Sequence, residues 1–258
     1  MKPGEEQESD ALWADRLRED WERRARSRGR DFYVASHPGW DDQRRWDERA
    51  RGDVDLMLHG LEPEQVRAWE VLEIGCGVGR LGGVLAQRCR AYTGFDIAPG
   101  MVEEAERRLA AAANARVFVS DGLGPPEAAR DRAYDLILAL AVFIHCPREL
   151  IAANVAAAYP LLRPGGQLRF QLMADPEDPT GVVSLEAAAE VHQEMLEVEE
   201  AVVTDEQLEL IEDTPYIGAR FRYDEVAPFL EQASGGGRVT TVRVDLAHVY
   251  GWIERPRD

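Results

Sequence analysis

The stretch Val71–Arg80 reads VLEIGCGVGR, and it decides the fold of this 258-residue chain. A short apolar run carrying Glu73 leads into three alternating glycines, Gly75, Gly77 and Gly79, and then into a helical pattern. Glycine allows backbone to approach a ligand closely, and a helix N-terminus offers it free N–H groups. The stretch therefore predicts a strand, a tight turn and a helix at the ligand-binding edge of a parallel sheet.

Short apolar runs alternate with helical patterns on the C-terminal side of this motif. The runs that we predict as parallel strands are Val71–Ile74, Tyr92–Phe95, Val117–Val119, Leu136–Leu140 and Gln167–Leu172. One helix ends near Arg88, and Pro99 opens the next. Two closing runs, Val239–Leu246 and His248–Ile253, are predicted as an antiparallel pair. The pattern indicates an α/β class, with a Rossmann-like, seven-stranded, mostly parallel sheet and helices on both faces.

Two segments depart from this rhythm. Residues 1–60 are predicted to form an N-terminal helical extension that caps the main domain, residues 61–258. Its first helix carries an apolar stripe, and Asp41 is expected to cap a second helix that runs to about Leu58. Residues 175–222 are predicted as an acidic helical insertion that forms a lid, with helices at Ser184–Glu200 and Asp205–Ile211.

The charge is strongly acidic and unevenly distributed. The chain has 30 basic and 48 acidic side chains, a net charge of −18, and residues 175–231 hold 17 acidic residues against two arginines. Such a balance repels a phosphate backbone, so we expect no nucleic-acid partner. The acidic segment fits a solvated helical face, and it also fits a surface that attracts a cationic substrate.

Other broad features narrow the class of protein. No apolar run is long enough to span a membrane, and the N-terminus is dense in charge rather than signal-like, so a cytoplasmic protein without a membrane partner is expected. Three cysteines without a CxxC pair suggest neither a disulfide framework nor a zinc site, and we predict no metal. Lys2 beside 29 arginines indicates a GC-rich, bacterial genome.

A dinucleotide-binding protein is the first alternative, because Gly77, Gly79 and Gly82 also match the GxGxxG pattern. In that pattern the first glycine follows directly on the strand. Here Gly75 holds that place, and Glu73 before the turn favours a cationic ligand over a pyrophosphate.

Four further motifs lie in register with the first: YTGFDIAPGM (92–101), VFVSDG (117–122), YDLILALAVFIHCP (134–147) and LLRPGG (161–166). Over Glu70–Leu172 the chain resembles the class I S-adenosylmethionine-dependent methyltransferases, whose first motif is an acidic residue, a hydrophobic residue and a GxGxG turn. The resemblance implies S-adenosylmethionine as cofactor and S-adenosylhomocysteine as product. It also implies methyl transfer to an oxygen or nitrogen of a small-molecule acceptor, such as a specialised metabolite.

The resemblance assigns cofactor-binding residues. They are Glu73, Gly75, Cys76, Gly77, Gly79, Arg80, Asp96, Ile97, Met101, Asp121, Gly122, Ala139, Leu140 and Ala141. Asp96 would hold both ribose hydroxyls, since a carboxylate accepts from a diol. Asp121 would accept from the adenine amino group, and Ile97 and Met101 would flank the ring. Arg80 could pair with the cofactor carboxylate.

His145 is the candidate catalytic residue, because an imidazole after the fourth strand could accept the proton of the methyl acceptor. Lining the pocket is its other possible role. Tyr33, Trp40 and Tyr216 are expected beside it on the acceptor and lid side. A non-catalytic protein that binds S-adenosylmethionine or S-adenosylhomocysteine and an aminopropyltransferase on the same fold remain alternatives, and both a monomer and a homodimer fit the sequence.

Overall fold

The structure is a computed structural model that describes residues 10–35, 40–181, 217–243 and 245–257. Its strands are β1 (Glu70–Ile74), β2 (Ala91–Asp96), β3 (Ala115–Val119), β4 (Tyr134–Ala139), β5 (Leu162–Ala174), β6 (Arg220–Phe221), β7 (Arg238–Val242) and β8 (His248–Glu254). They form one sheet in the order β3-β2-β1-β4-β5-β8-β7, with β6 added beside β5. Strands β1 to β5 are parallel, whereas β8 pairs antiparallel with β5 and with β7. The predicted α/β fold is confirmed, and β6 is an eighth, two-residue strand.

Helices cover both faces of the sheet. They are α1 (Asp10–Arg26), α2 (Arg30–Ala35), α3 (Gln43–Met57), α4 (Pro63–Val66), α5 (Arg80–Arg88), α6 (Pro99–Leu109), α7 (Arg148–Ala158) and α8 (Tyr223–Ser234). The cap of α3 is Asp42 rather than Asp41, because the Asp42 carboxylate accepts from the backbone N–H groups of Arg44 and Arg45 at 2.9 and 3.0 Å.

The strands bury apolar side chains on both faces. Leu72 and Ile137 belong to the cluster that packs against α7 and α8, whereas Val71, Leu136 and Leu138 belong to the cluster under α3, α5 and α6. Successive strand residues point to opposite faces, so a sheet covered on both sides needs near-continuous apolar runs. This rigid frame positions the loops at its carboxyl edge.

Arg169 fixes the end of α3 to the sheet. The side chain lies on β5, and its Nη1 donates to the carbonyl oxygens of Met57 and His59, both at 2.8 Å. Burial lowers the pKa of Arg169 to about 10. The carbonyls at a helix C-terminus are favourable partners for a cation, so this contact positions α3 beside the site.

The base of the acidic segment is tied together within the described part of the chain. The buried Arg243 guanidinium donates to the carbonyl oxygens of Asp178 and Thr180, and the Asp178 carboxylate accepts from Tyr223 N at 2.8 Å. The helices predicted at Ser184–Glu200 and Asp205–Ile211 lie outside the described residues, as does Tyr216. The division into an extension, a main domain and an insertion stays a prediction. In the part that is described, no helix has the length and apolar character that crossing a membrane requires.

Candidate active site

The glycine turn after β1 forms one wall of a pocket at the carboxyl edge of the sheet. Gly75, Gly77 and Gly79 have φ values of +65°, +51° and +78°, a region that side chains disfavour. At Gly75 an added Cβ would overlap Val142, whose Cγ1 would be 2.9 Å away and whose Cγ2 would be closer still. The side chain of Val34 from α2 stands 3.5 Å from the place of a Gly77 Cβ, so α2 covers the turn.

Asp96 ends β2 and holds the turn from the other side. Its Oδ2 accepts from Gly77 N and its Oδ1 accepts from Ala98 N, both at 2.9 Å. Burial raises the pKa of this carboxyl. Each carboxylate oxygen has a second lone pair, so the group can still accept hydrogen bonds from a ligand hydroxyl in the pocket.

Glu73 lies on β1 in the centre of the sheet, and only 2% of its surface is exposed. The hydroxyl of Tyr92 donates to Glu73 Oε2 at 2.6 Å. Burial raises the pKa of Glu73 to about 8, against the smaller lowering effects of Tyr92 and Arg80. Glu73 is therefore a second buried carboxyl, besides Asp96, that lines the pocket.

The pocket brings most of the predicted site residues together. The predicted residues that line it are Tyr33, Glu73, Gly75, Cys76, Gly77, Arg80, Asp96, Ile97, Met101, Gly122, Leu140, Ala141 and His145. They come from α2, from β1 and the turn after it, from the first turns of α5 and α6, and from the ends of β2, β3 and β4. This is the edge where doubly wound folds bind ligands.

Four other residues that were predicted to belong to the site, and that the structure describes, do not line this pocket. Asp121 is exposed, and its carboxylate accepts from Leu123 N at 2.9 Å in its own turn, so Ser120 and Gly122 line the pocket there instead. Gly79 is the residue before α5 and faces α6. Ala139 is buried at the end of β4, and Trp40 packs against the Trp46 cluster.

Arg80 lies at the pocket wall with an unsatisfied donor. Its Nη1 is 2.6 Å from Asp53 Oδ2 of α3, and the residue is 8% exposed. The Nε atom is the one buried side-chain nitrogen or oxygen without a hydrogen-bond partner in the described part of the chain. A buried N–H of this kind costs free energy unless a ligand atom accepts from it.

Helix α1 covers the pocket. Leu17 and Trp21 line it, and Glu22 Oε2 accepts from Gly100 N at the start of α6 at 2.7 Å. Arg26 adds an ion pair to Glu103 at 3.0 Å. The sequence showed an apolar stripe on a charged helix, but it gave no signal of which loop that stripe would cover.

His145 closes the opposite side, in the short turn after β4. Its ring meets Trp21 edge-to-face, with ring centroids 5.2 Å apart and planes at 69°. Nearby, Asn154 of α7 lines the pocket and donates to Gly122 O at 2.8 Å, which fixes the turn after β3. The imidazole and the indole thus both line the pocket.

A polar network that sequence reasoning missed supports the turn after β4. Ala141 has a φ of +57°, and its N–H donates to Gln171 Oε1 at 3.0 Å. The Gln171 amide then donates to Tyr250 Oη at 3.1 Å across the β5–β8 pair. On the same edge, Asp245 Oδ2 is 3.3 Å from His248 Nδ1. The alternation of the polar residues Gln167, Arg169 and Gln171 along β5 was the sequence signal for these polar contacts. Their partners could not be predicted, because the register between β5 and β8 decides which residues meet.

Comparison with known proteins finds methyltransferases. Residues 71–166 match the family described as "Methyltransferase domain". The fold is similar to that of the solved structure of DhpI with S-adenosylhomocysteine. The TM-score between the two is 0.60 at 16% sequence identity, and the match covers 96% of this chain and 99% of that one.

Two curated relatives are methyltransferases. The chain is 28% identical over 122 residues to a ubiquinone biosynthesis O-methyltransferase of Saccharophagus degradans, covering 44% of this chain and 51% of that protein. It is 32% identical over 137 residues to a trans-aconitate 2-methyltransferase of Methylobacterium nodulans, covering 52% of this chain and 48% of that protein. The chain therefore spans about half the length of the curated relatives it matches, and its residues 71–166 are similar to a methyltransferase domain.

Proposed function

We propose that this chain transfers the methyl group of S-adenosylmethionine to an oxygen or nitrogen of a small molecule. The observation that carries the proposal is the chemistry of the pocket wall, which combines the left-handed glycine turn with two buried carboxyls, Glu73 and Asp96, and the unpartnered Nε–H of Arg80. An α-ammonium, a ribose diol and a carboxylate are the groups that these three side chains would complement.

Each part of the cofactor has a candidate partner among the pocket residues. Asp96, at the end of β2, would accept from the ribose hydroxyls, and the apolar Ile97 and Met101 beside it would face the adenine. Glu73 and Arg80, on the other side of the glycine turn, would receive the amino acid end. Asp121 keeps the adenine role only if its side chain leaves the turn that it now caps.

Bound S-adenosylmethionine supplies a methyl group that is already activated on a sulfonium. The chain's own task is therefore to align the acceptor with that methyl group and to exclude water. Trp21 and Tyr33 of the N-terminal helices and Leu150 of α7 give the pocket an apolar cover. This arrangement provides catalysis by proximity and desolvation.

Two histidines are candidates to accept the proton of the acceptor. His145 lines the pocket. His248 lies further along the carboxyl edge, and Asp245 beside its Nδ1 would hold the proton there and leave Nε2 as the basic atom. Replacing each separately, in His145→Ala and His248→Asn, and measuring initial rates would show which imidazole the reaction uses.

The direct test is release of S-adenosylhomocysteine from the purified protein and S-adenosylmethionine with a panel of phenols and amines. We expect acceptor-dependent release with at least one compound, and loss of release in Asp96→Ala. Tight binding with no release for any acceptor would favour the alternative of a non-catalytic binding protein. A preference for the decarboxylated cofactor would favour an aminopropyltransferase, since that ligand lacks the carboxylate that Arg80 would meet.

A further inference from the structure

Tyr92 occupies a space that two glycines leave open. An added Cβ at Gly82 of α5 would stand 2.7 Å from the Tyr92 hydroxyl, and one at Gly94 of β2 would stand 2.6 Å from it. The tyrosine has no exposed surface. Close packing therefore holds its hydroxyl in one place, against the carboxyl of Glu73 at 2.6 Å.

The hydroxyl acts as the donor in this contact. Burial and the neighbouring Glu73 raise the pKa of Tyr92 well above its usual value, so the phenol keeps its proton. A hydrogen bond donated to a carboxylate favours the ionised form of that carboxylate. Tyr92 therefore opposes the burial that favours the protonated form of Glu73.

Three other titratable or charged groups face Glu73. Arg80 of α5 favours the anion, but its Nη1 is already paired with Asp53 at 2.6 Å. Asp96 of β2 disfavours it as a like charge. Burial raises the pKa of the Cys76 thiol well above its usual value, so that group stays neutral. Among the described residues, Tyr92 is thus the group that hydrogen-bonds Glu73 directly.

We propose that Tyr92 is a positioning residue for the cofactor: its hydroxyl favours the anionic form of Glu73 that pairs with the α-ammonium of the bound cofactor. Burial favours the protonated carboxyl in the ligand-free protein, so binding releases a proton. The inference rests on the proposed function. On binding, the O–H bond of the Glu73 carboxyl breaks, its electron pair stays on the carboxylate oxygen, and the proton passes to the buffer. No covalent bond to the ligand forms.

The proposal gives a defined pH dependence. About one proton should be released per ligand bound at pH 6, and clearly less at pH 8.5, with affinity rising about tenfold per pH unit over the lower range. Without the Tyr92 hydroxyl, Glu73 holds its proton more tightly. Tyr92→Phe should then bind about 10- to 100-fold more weakly at pH 7, with the loss shrinking as the pH rises.

The test is calorimetric titration with S-adenosylhomocysteine, which carries the same α-ammonium, at pH 6, 7, 8 and 8.5 in buffers of different ionisation enthalpy. Wild type is compared with Tyr92→Phe and Glu73→Gln. The matched control is Tyr134→Phe, since Tyr134 is equally buried but its hydroxyl donates to Ala129 O at 2.6 Å, away from the pocket. We expect Glu73→Gln to release no proton and the control to behave as wild type.

Tyr92→Phe could lose the same affinity at every pH and release as many protons on binding as wild type. That result would show a purely structural role for Tyr92, and it would overturn this inference but leave the proposed function standing. Wild-type binding without proton release at pH 6 would overturn it as well, whether or not the variants fold. A wild-type protein that binds no S-adenosylhomocysteine at any of these pH values would overturn the proposed function and this inference with it.

Discussion

Gly75→Ala should destabilise the protein markedly, because the residue is constrained in two independent ways. Its φ of +65° is left-handed, which costs an L-residue about 1–2 kcal/mol. The new Cβ would also overlap the Val142 side chain, and overpacking of this kind costs about 1–3 kcal/mol. Together we expect a loss of about 3 kcal/mol, or a fall in Tm of about 6–12 °C for a domain of this size.

Calorimetric melting of the cofactor-free protein measures the effect, with Gly83→Ala as the matched control. Gly83 lies inside α5 with nothing within 4 Å of an added Cβ, so that variant should be as stable as wild type or gain up to about 1 kcal/mol. Adding Val142→Ala should recover the overpacking part but not the backbone part. A Gly75→Ala variant within about 0.5 kcal/mol of wild type would show that neither the backbone nor Val142 constrains this position.

Three further predictions concern pH, backbone strain and a buried hydrogen-bond pair. Glu73→Gln should raise the Tm of the cofactor-free protein at pH 8 but hardly change it at pH 5. Burial raises the pKa of the Glu73 carboxyl to about 8, so the stability of the protein with the protonated carboxyl is lost as the pH rises through that value. Equal effects at both pH values would contradict this. Ala141→Gly should gain about 0.5–1 kcal/mol in urea denaturation, since the left-handed strain outweighs the entropy cost of glycine; a loss would show that the strain is absent. Arg169→Met should lose about 3 kcal/mol by leaving the carbonyls of Met57 and His59 unpaired; a melting curve like that of wild type would argue against that pairing.

The sequence predicted the sheet well because its determinants are local. The glycines Gly75, Gly77 and Gly79 mark the turn between the apolar run of β1 and the helical pattern of α5, and the other apolar runs have the length of buried strands. The two-residue strand β6 has no such signal, since it exists through pairing with β5. The cap of α3 is Asp42 rather than Asp41 because two adjacent aspartates carry the same capping chemistry, and only geometry chooses between them.

The site was less predictable where side chains serve two purposes or meet across distant segments. An aspartate after a strand suits a turn as well as a ligand, and Asp121 makes the turn. The Glu73–Tyr92 contact and the Gln171–Tyr250 contact depend on strand register and on the space left by glycines. Neither register nor space can be read from one segment alone.

Calorimetric titration with S-adenosylmethionine and S-adenosylhomocysteine, with Asp96→Ala beside wild type, tests whether the glycine-lined pocket binds this cofactor. We expect micromolar or tighter binding of both ligands to wild type, and its loss in Asp96→Ala, because that carboxylate both fixes the glycine turn and faces the pocket. Binding of NADH in place of both ligands would show that the pocket is a dinucleotide site instead.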